Sequence, residues 1–313
     1  MTDLLLPAPV TAPGPARLRA PRRPLGRAPH GAPRRSPARE GAAMALVAMT
    51  SVQLGLALSV GLIDAIGVVG AAWLRLSVAA LVLLAMVRPQ RLHFPRGALR
   101  TTIALGVATA GVSLLFMAAV ARLPLGTATA LEFLGALGVA ALRSRGPARL
   151  LPLLALAGVV LLTEPWSGTV DLVGVGFALG SAACVAGYIL LTQRANDAVE
   201  GLSALALSLT VAALLTTVVT LAVSPATFSA AGEVLVLGVV AALLLPLVPF
   251  VLEMMALRRL TTAAFGTLMA LEPAIALLVG LVALGQVPSP LAVVGMGLVV
   301  AAGVGATRTG ARV

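Results

Sequence analysis

The sequence has no lysine, one cysteine, two histidines and one tyrosine, and aromatic residues make up only 3% of its 313 positions. Each scarcity excludes something. A lone Cys184 forms no internal disulfide. His30 and His93 stand far apart, and no His/Cys/carboxylate group has metal-ligand spacing, so neither a metal nor a cofactor is expected. No Walker loop, aspartate-rich pair or His-Glu helix motif is present, which argues against ATP-driven or hydrolytic chemistry and against an enzyme. Charge is scarce too, at 11% of residues against about 25% in soluble domains. With 59% hydrophobic residues and a mean hydropathy of +1.06, the chain cannot coat a water-facing surface. Its solvent is a bilayer.

What charge there is lies unevenly. The formal net charge is +11 and every basic residue is arginine, eight of them between Arg17 and Arg39. Residues 1–42 are rich in Arg and Pro, lack apolar periodicity and carry no aromatic ring to stack on bases. They read as a disordered cytoplasmic tail that sets topology, with no nucleic-acid partner. They are too long and too Pro-broken for a signal peptide.

A bilayer core of about 30 Å takes about 20 apolar residues per helix. Apolar runs fall near 43–63, 66–87, 99–121, 124–142, 148–164, 171–193, 202–223, 232–257, 261–284 and 288–306. Basic residues favour the cytoplasmic side. With the N-terminus inside, all 22 arginines except Arg75 and Arg122 fall in the tails or in alternate, cytoplasmic loops. Nine spans would put Arg308 and Arg312 outside, so the arginines favour ten. The expectation is an all-α, multi-pass protein of the bacterial inner membrane, with both termini cytoplasmic and lipid around it.

The two halves echo each other. Leu76-Ser77-Val78-Ala79-Ala80-Leu81 returns as Leu209-Thr210-Val211-Ala212-Ala213-Leu214, and Arg122-Leu123 as Arg259-Leu260. Five spans per half is odd, so two similar halves must lie in opposite orientations, the inverted repeat of many secondary transporters. The expected division is a first five-helix repeat over 43–165, a second over 166–307, and a cytoplasmic C-terminus at 308–313.

Charge inside hydrocarbon costs about 2.5–3.5 kcal/mol per residue on insertion scales, so it needs a reason. Arg75, Glu132 and Glu272 lie mid-span, and Glu253 nearer a cytoplasmic helix end. Extending the Leu123/Leu260 register without gaps sets Gly135 opposite Glu272, which leaves Glu132 one helical turn away on a similar face. Two carboxylates would then flank a central cavity, able to exchange protons or to hold a substrate ammonium. Arg75 would either neutralise one of them or hold a substrate carboxylate. The bland alternative makes all four structural partners. Gln53, Ser113, Tyr188 and Gln193 lie within or at the ends of spans and read mostly as helix glue. Gln53 and Tyr188 also count as candidate cavity residues, because Tyr188 is too deep for an interfacial anchor. Pro246, Pro249 and Pro273 predict kinks able to act as hinges.

Several stretches resemble known sequences. Leu125-Gly126-Thr127-Ala128-Thr129-Ala130-Leu131-Glu132-Phe133, Ala178-Leu179-Gly180-Ser181-Ala182-Ala183-Cys184 with Gly187-Tyr188-Ile189-Leu190, Leu252-Glu253-Met254-Met255-Ala256-Leu257, and Phe265-Gly266-Thr267-Leu268-Met269-Ala270-Leu271-Glu272-Pro273-Ala274 are similar to motifs of the EamA family of the drug/metabolite transporters, threonine/homoserine exporters in particular. The likeness spans roughly residues 44–307. It implies export of small neutral amino acids by proton antiport, with functional residues at Glu132, Glu253, Glu272 and Leu74-Arg75. Val185 stands where that family commonly has tryptophan, and Ala136 where it has proline, a difference that bears on which side chain the cavity accepts. Alternatives are a same-fold exporter of another metabolite or drug-like amine, and a non-transporting membrane scaffold.

Overall fold

Backbone amides in a lipid layer have no water to bond, so an apolar chain closes its hydrogen bonds within helices. The computed structural model describes residues 37–87, 96–143, 150–164, 171–198, 203–229, 232–257, 259–260 and 262–309, and every regular element among them is helical. In chain order these are α1 (Pro37–Val87), α2 (Arg96–Val120), α3 (Leu125–Arg143), α4 (Leu151–Thr163), α5 (Leu172–Ala198), α6 (Ser203–Val223), α7 (Gly232–Ala242), α8 (Val248–Leu257), α9 (Thr262–Met269), α10 (Glu272–Leu284) and α11 (Pro290–Thr309). Five stretches are long and apolar enough to cross a membrane: Ala38–Val87, Gly97–Val120, Leu172–Thr192, Ser203–Val223 and Phe265–Leu284. Shorter apolar helices fill the intervals. Of the tail expected at 1–42, residues 1–36 lie outside the described residues. Residues 37–42 already belong to α1. The basic loops at 88–91 and 144–149 also lie outside.

The first two expected spans form one element. α1 has 51 residues and is interrupted at Gly67 (φ 75°, ψ 167°). A straight helix of that length would reach about 75 Å, more than twice a bilayer core. The backbone conformation at Gly67 is essentially closed to residues with a side chain, so this one position divides α1 into two limbs. Leu62 before the bend and Ala71 and Leu74 after it share one core with Ala241 of α7.

Proline breaks two further spans. Between α7 and α8 runs a π-helical turn, Leu243–Leu247, in which Leu245 is extended (φ −148°, ψ 112°). Leu245 precedes Pro246, whose ring disfavours a helical neighbour, and sits four residues before Pro249, whose ring would strike its carbonyl. The Ser51 hydroxyl of α1 donates to the Leu244 carbonyl at 2.9 Å, serving a group at that break. The expected ninth span is divided at Ala270–Leu271, because Pro273 has no N–H to continue the ladder. Glu272 therefore stands in the first turn of α10, where its sequence position suggested mid-helix.

Close packing sets the remaining architecture. α4 lies against α11 at Gly158 and Gly295, where a methyl group on either would run into the carbonyl oxygen of the other. The largest core gathers Phe116, Met117, Leu125, Leu131, Val159 and Val299 from α2, α3, α4 and α11. Gly67→Ala should cost about 1–3 kcal/mol although nothing crowds the site, read as a lower melting temperature in detergent. Gly97→Ala, equally uncrowded but helical in α2, should cost nothing. Equal behaviour of the two variants would mean that the bend does not depend on glycine.

Candidate functional site

The polar residues in this apolar bundle converge from six elements. From the first limb of α1, fully buried Gln53 donates its Nε2 to Glu272 Oε1 at 3.5 Å, while its own Oε1 has no partner. From the second limb, Arg75 is 5% exposed. Its Nη2 donates to Ser113 Oγ of α2 at 2.6 Å, and its Nη1 has no partner. Glu132 of α3 accepts from Ser181 Oγ of α5 at 2.6 Å. The same hydroxyl lies 3.3 Å from the Val112 carbonyl. One hydroxyl proton serves one acceptor, so Ser181 bonds an ionised Glu132. It can turn to Val112 and accept once Glu132 carries a proton.

Electrostatics ties these groups into a line. Arg75 and Glu132 lie within each other's field, and Glu272 lies within the field of both Glu132 and Glu253. Glu253, partly buried in α8, also acts on Tyr188. The Tyr188 ring packs with Leu191 against Leu105 of α2 and Ala204 of α6. The structure thus brings Gln53, Arg75, Glu132 and Glu272 together, with Glu253 and Tyr188 beyond them. The side chain of Gln193 lies outside the described residues.

Two members had no role assigned from sequence. Ser181 sits in an Ala/Gly-rich run, where a lone hydroxyl was a readable signal. Thr129 is 5% exposed, stands one turn before Glu132 on the same face, and leaves its Oγ1 without a partner. The one-turn offset of Glu132 from strict register has a cause. Gly135, the position opposite Glu272, has the Ala182 backbone of α5 directly against it, so no side chain fits there. The carboxylate stands a turn earlier.

A second polar group lies at one end of the bundle. Arg122, in the turn between α2 and α3, pairs with Asp171 at 2.8 Å. Asp171 also caps α5 by accepting the Gly174 N–H at 2.8 Å. That N–H, and then Arg122, hold the Asp171 carboxyl below the usual carboxylate range. The charged form therefore persists at ordinary carboxylate pH values and is lost only as pH falls below them. Nearby, Gln286 Oε1 accepts from the Leu125 N–H at 2.9 Å, and the Ser289 hydroxyl bonds Glu164. A cavity of about 460 Å³ opens among Arg122, Thr127, Glu164, Asp171, Gln286 and Ser289.

Removing one member of a buried charge pair strands the other, at about 3–5 kcal/mol. Arg75→Met and Glu132→Gln should each lower stability strongly, and the double variant should lose less than their sum. Detergent unfolding of the three variants checks this, and strict additivity would mean that the two residues are uncoupled.

Comparison with known proteins agrees in kind. Residues 172–307 match the model of the EamA-like transporter family. The threonine/homoserine exporter RhtA of Escherichia coli (strain K12) is 38% identical over 273 residues, covering 84% of this chain and 90% of that protein. The protein of the same name from Salmonella typhimurium (strain LT2) is 37% identical over 268 residues, with the same coverage. One protein of known crystal structure superposes with a TM-score of 0.59 at 18% identity, over 85% of this chain and 96% of its own, a likeness of fold.

Proposed function

Because the chain belongs to the EamA-like transporter family, we propose that it exports small neutral amino acids of the threonine and homoserine kind from the bacterial cytoplasm, by proton antiport and alternating access. Ten spans in two inverted halves, 43–165 and 166–307, carry that cycle. The single observation behind it is the pairing of the two deep carboxylates. Glu132, on the fourth span of the first half, accepts from Ser181 on the first span of the second. Glu272, on the fourth span of the second half, accepts from Gln53 on the first span of the first. Exchanging the halves turns one pair into the other.

The packing supports the same exchange. α2 lies on α5, and its counterparts α7 and α8 lie on α1; α3 lies on α5, and its counterpart α10 lies on α1. The repeated segments meet, Leu76, Ala79 and Ala80 sharing one core with Leu209, Ala212 and Ala213. Gly158 and Gly295, which touch, are 137 residues apart, the same spacing as Leu123 and Leu260.

The unpartnered atoms suit a zwitterion. Arg75 Nη1 is a free donor for a carboxylate. Gln53 Oε1 and the Glu272 carboxylate accept from an ammonium, and Thr129 Oγ1 is available to a side-chain hydroxyl. A proton on Glu272 occupies a lone pair that an ammonium would use, so substrate and proton compete for one group, as antiport requires. Ser181 serves Glu132 in either protonation state. Glu253 and Tyr188 lead from Glu272 towards the end that carries Arg259.

Glu132→Gln and Glu272→Gln keep side-chain shape and remove the titrating group. Each should cut export at least tenfold, by analogy with the loss of a general acid or base (about 10²–10⁴), and should abolish its dependence on external pH. The assay is resistance of expressing cells to toxic amino-acid analogues, with efflux of labelled threonine. Unchanged export and pH profile in both variants would remove the carboxylates from the mechanism. Resistance to lipophilic cations alone would assign the protein to amines.

A further inference from the structure

Two surface ion pairs share one design. The first joins Arg122, in the α2–α3 turn, to Asp171 just ahead of α5. The second joins Arg259, in the α8–α9 turn, to Glu40 in the first turn of α1, with Nε 3.6 Å from Oε2. Arg122 and Arg259 are 137 residues apart, and each is followed by leucine. Each Arg-Leu pair rests on a glycine of the opposing helix. A methyl group on Gly174 would come within 2.9 Å of Leu123 Cγ and 3.0 Å of Arg122 Cβ. One on Gly41 would come within 2.9 Å of both Leu260 Cγ and Arg259 Cβ. Gly41 and Gly174 are 133 residues apart, the same spacing as Leu76 and Leu209. So arginine, leucine, glycine and acid recur together, each time linking the third-to-fourth-span turn of one half to the start of the first span of the other.

The two sets lie at opposite ends of the bundle. α1 starts at Glu40, and the chain has run out through its first limb, back through its second and out again along α2 before it reaches Arg122. Arg122 shares its end with Glu164, Asp171, Gln286 and Ser289 around the 460 Å³ cavity.

We propose that Arg122–Asp171 and Arg259–Glu40 are the two gates of the transport cycle, equivalent ion pairs that hold opposite ends closed and are released in alternation. The proposal rests on the alternating-access reading above. All four side chains are between 31% and 47% exposed, so water screens both pairs and each can break once per cycle. Glycine beneath each arginine lets the turn sit flush on the opposing helix, which closes that end sterically. Both pairs are in place here, the arrangement a carrier passes through when it is occluded.

The test needs no substrate. Thr127 lines the cavity beside the first pair. With Cys184 replaced by alanine, Thr127→Cys is labelled in right-side-out vesicles by an impermeant maleimide. Asp171→Asn keeps a good helix cap and loses only the charge, so labelling should quicken about two- to five-fold, the population shift that an exposed pair supports. Glu40→Gln should slow it by a similar factor. Gly174→Ala and Gly41→Ala should reproduce the same two signs by wedging rather than by charge. The exchange Arg122→Asp with Asp171→Arg should return the rate to its starting value. Shifts of one sign for both pairs, or no shift in any variant, would overturn the gates. Opposite shifts in a protein that moves no amino acid would keep the gates and sink the substrate reading. Export without opposite shifts would sink the gates alone.

Discussion

Carboxylates and a guanidinium buried in an apolar helical bundle must be given partners by the protein, because lipid supplies none. Here the partners come from other helices: Gln53 for Glu272, Ser181 for Glu132, Ser113 for Arg75. Each bond fixes one helix against another at a chosen depth. Together they hold α1, α2, α3, α5 and α10 around one polar cluster. Yet they leave Arg75 Nη1, Gln53 Oε1 and Thr129 Oγ1 unpaired, and a buried orphan of that kind costs free energy unless something fills it. A site so built is poised for a visiting zwitterion.

The helix breaks serve the same cluster. Pro273 opens the ladder so that α10 begins at Glu272, next to backbone amides that no longer bond within a helix. Pro246 and Pro249 open another at Leu243–Leu247, which the first limb of α1 covers with Ser51 and, through close contact, with Gly55. Broken helices inside a bundle are tolerated where protein or a cavity meets the freed groups. Both breaks lie in the chain between Glu253 and Glu272 or just before it, and so they set how those acids face one another.

Much of this was legible in the sequence because bilayer depth acts on residues one at a time. Apolar runs, arginine placement and the expense of Glu132 or Arg75 in such runs need no knowledge of neighbours. The prolines likewise announced the breaks. What stayed hidden depends on pairs. Nothing local marks Ser181 as the partner of Glu132, or Asp171 as that of Arg122. Gly67 looked like any other glycine among 32, although its positive φ lets two expected spans form one bent element. The ungapped register put a carboxylate at position 135, and only the Ala182 backbone explains why a glycine stands there.

The account is tested most directly by coupling. Purified full-length chain in proteoliposomes, loaded with a pH-reporting dye, receives a threonine gradient while internal pH and labelled threonine are followed together. The account predicts that threonine entry drives protons out, that a homoserine gradient does the same, and that neither flux occurs with Glu272→Gln. Threonine movement with no accompanying proton flux, or equal coupling in that variant, would contradict it.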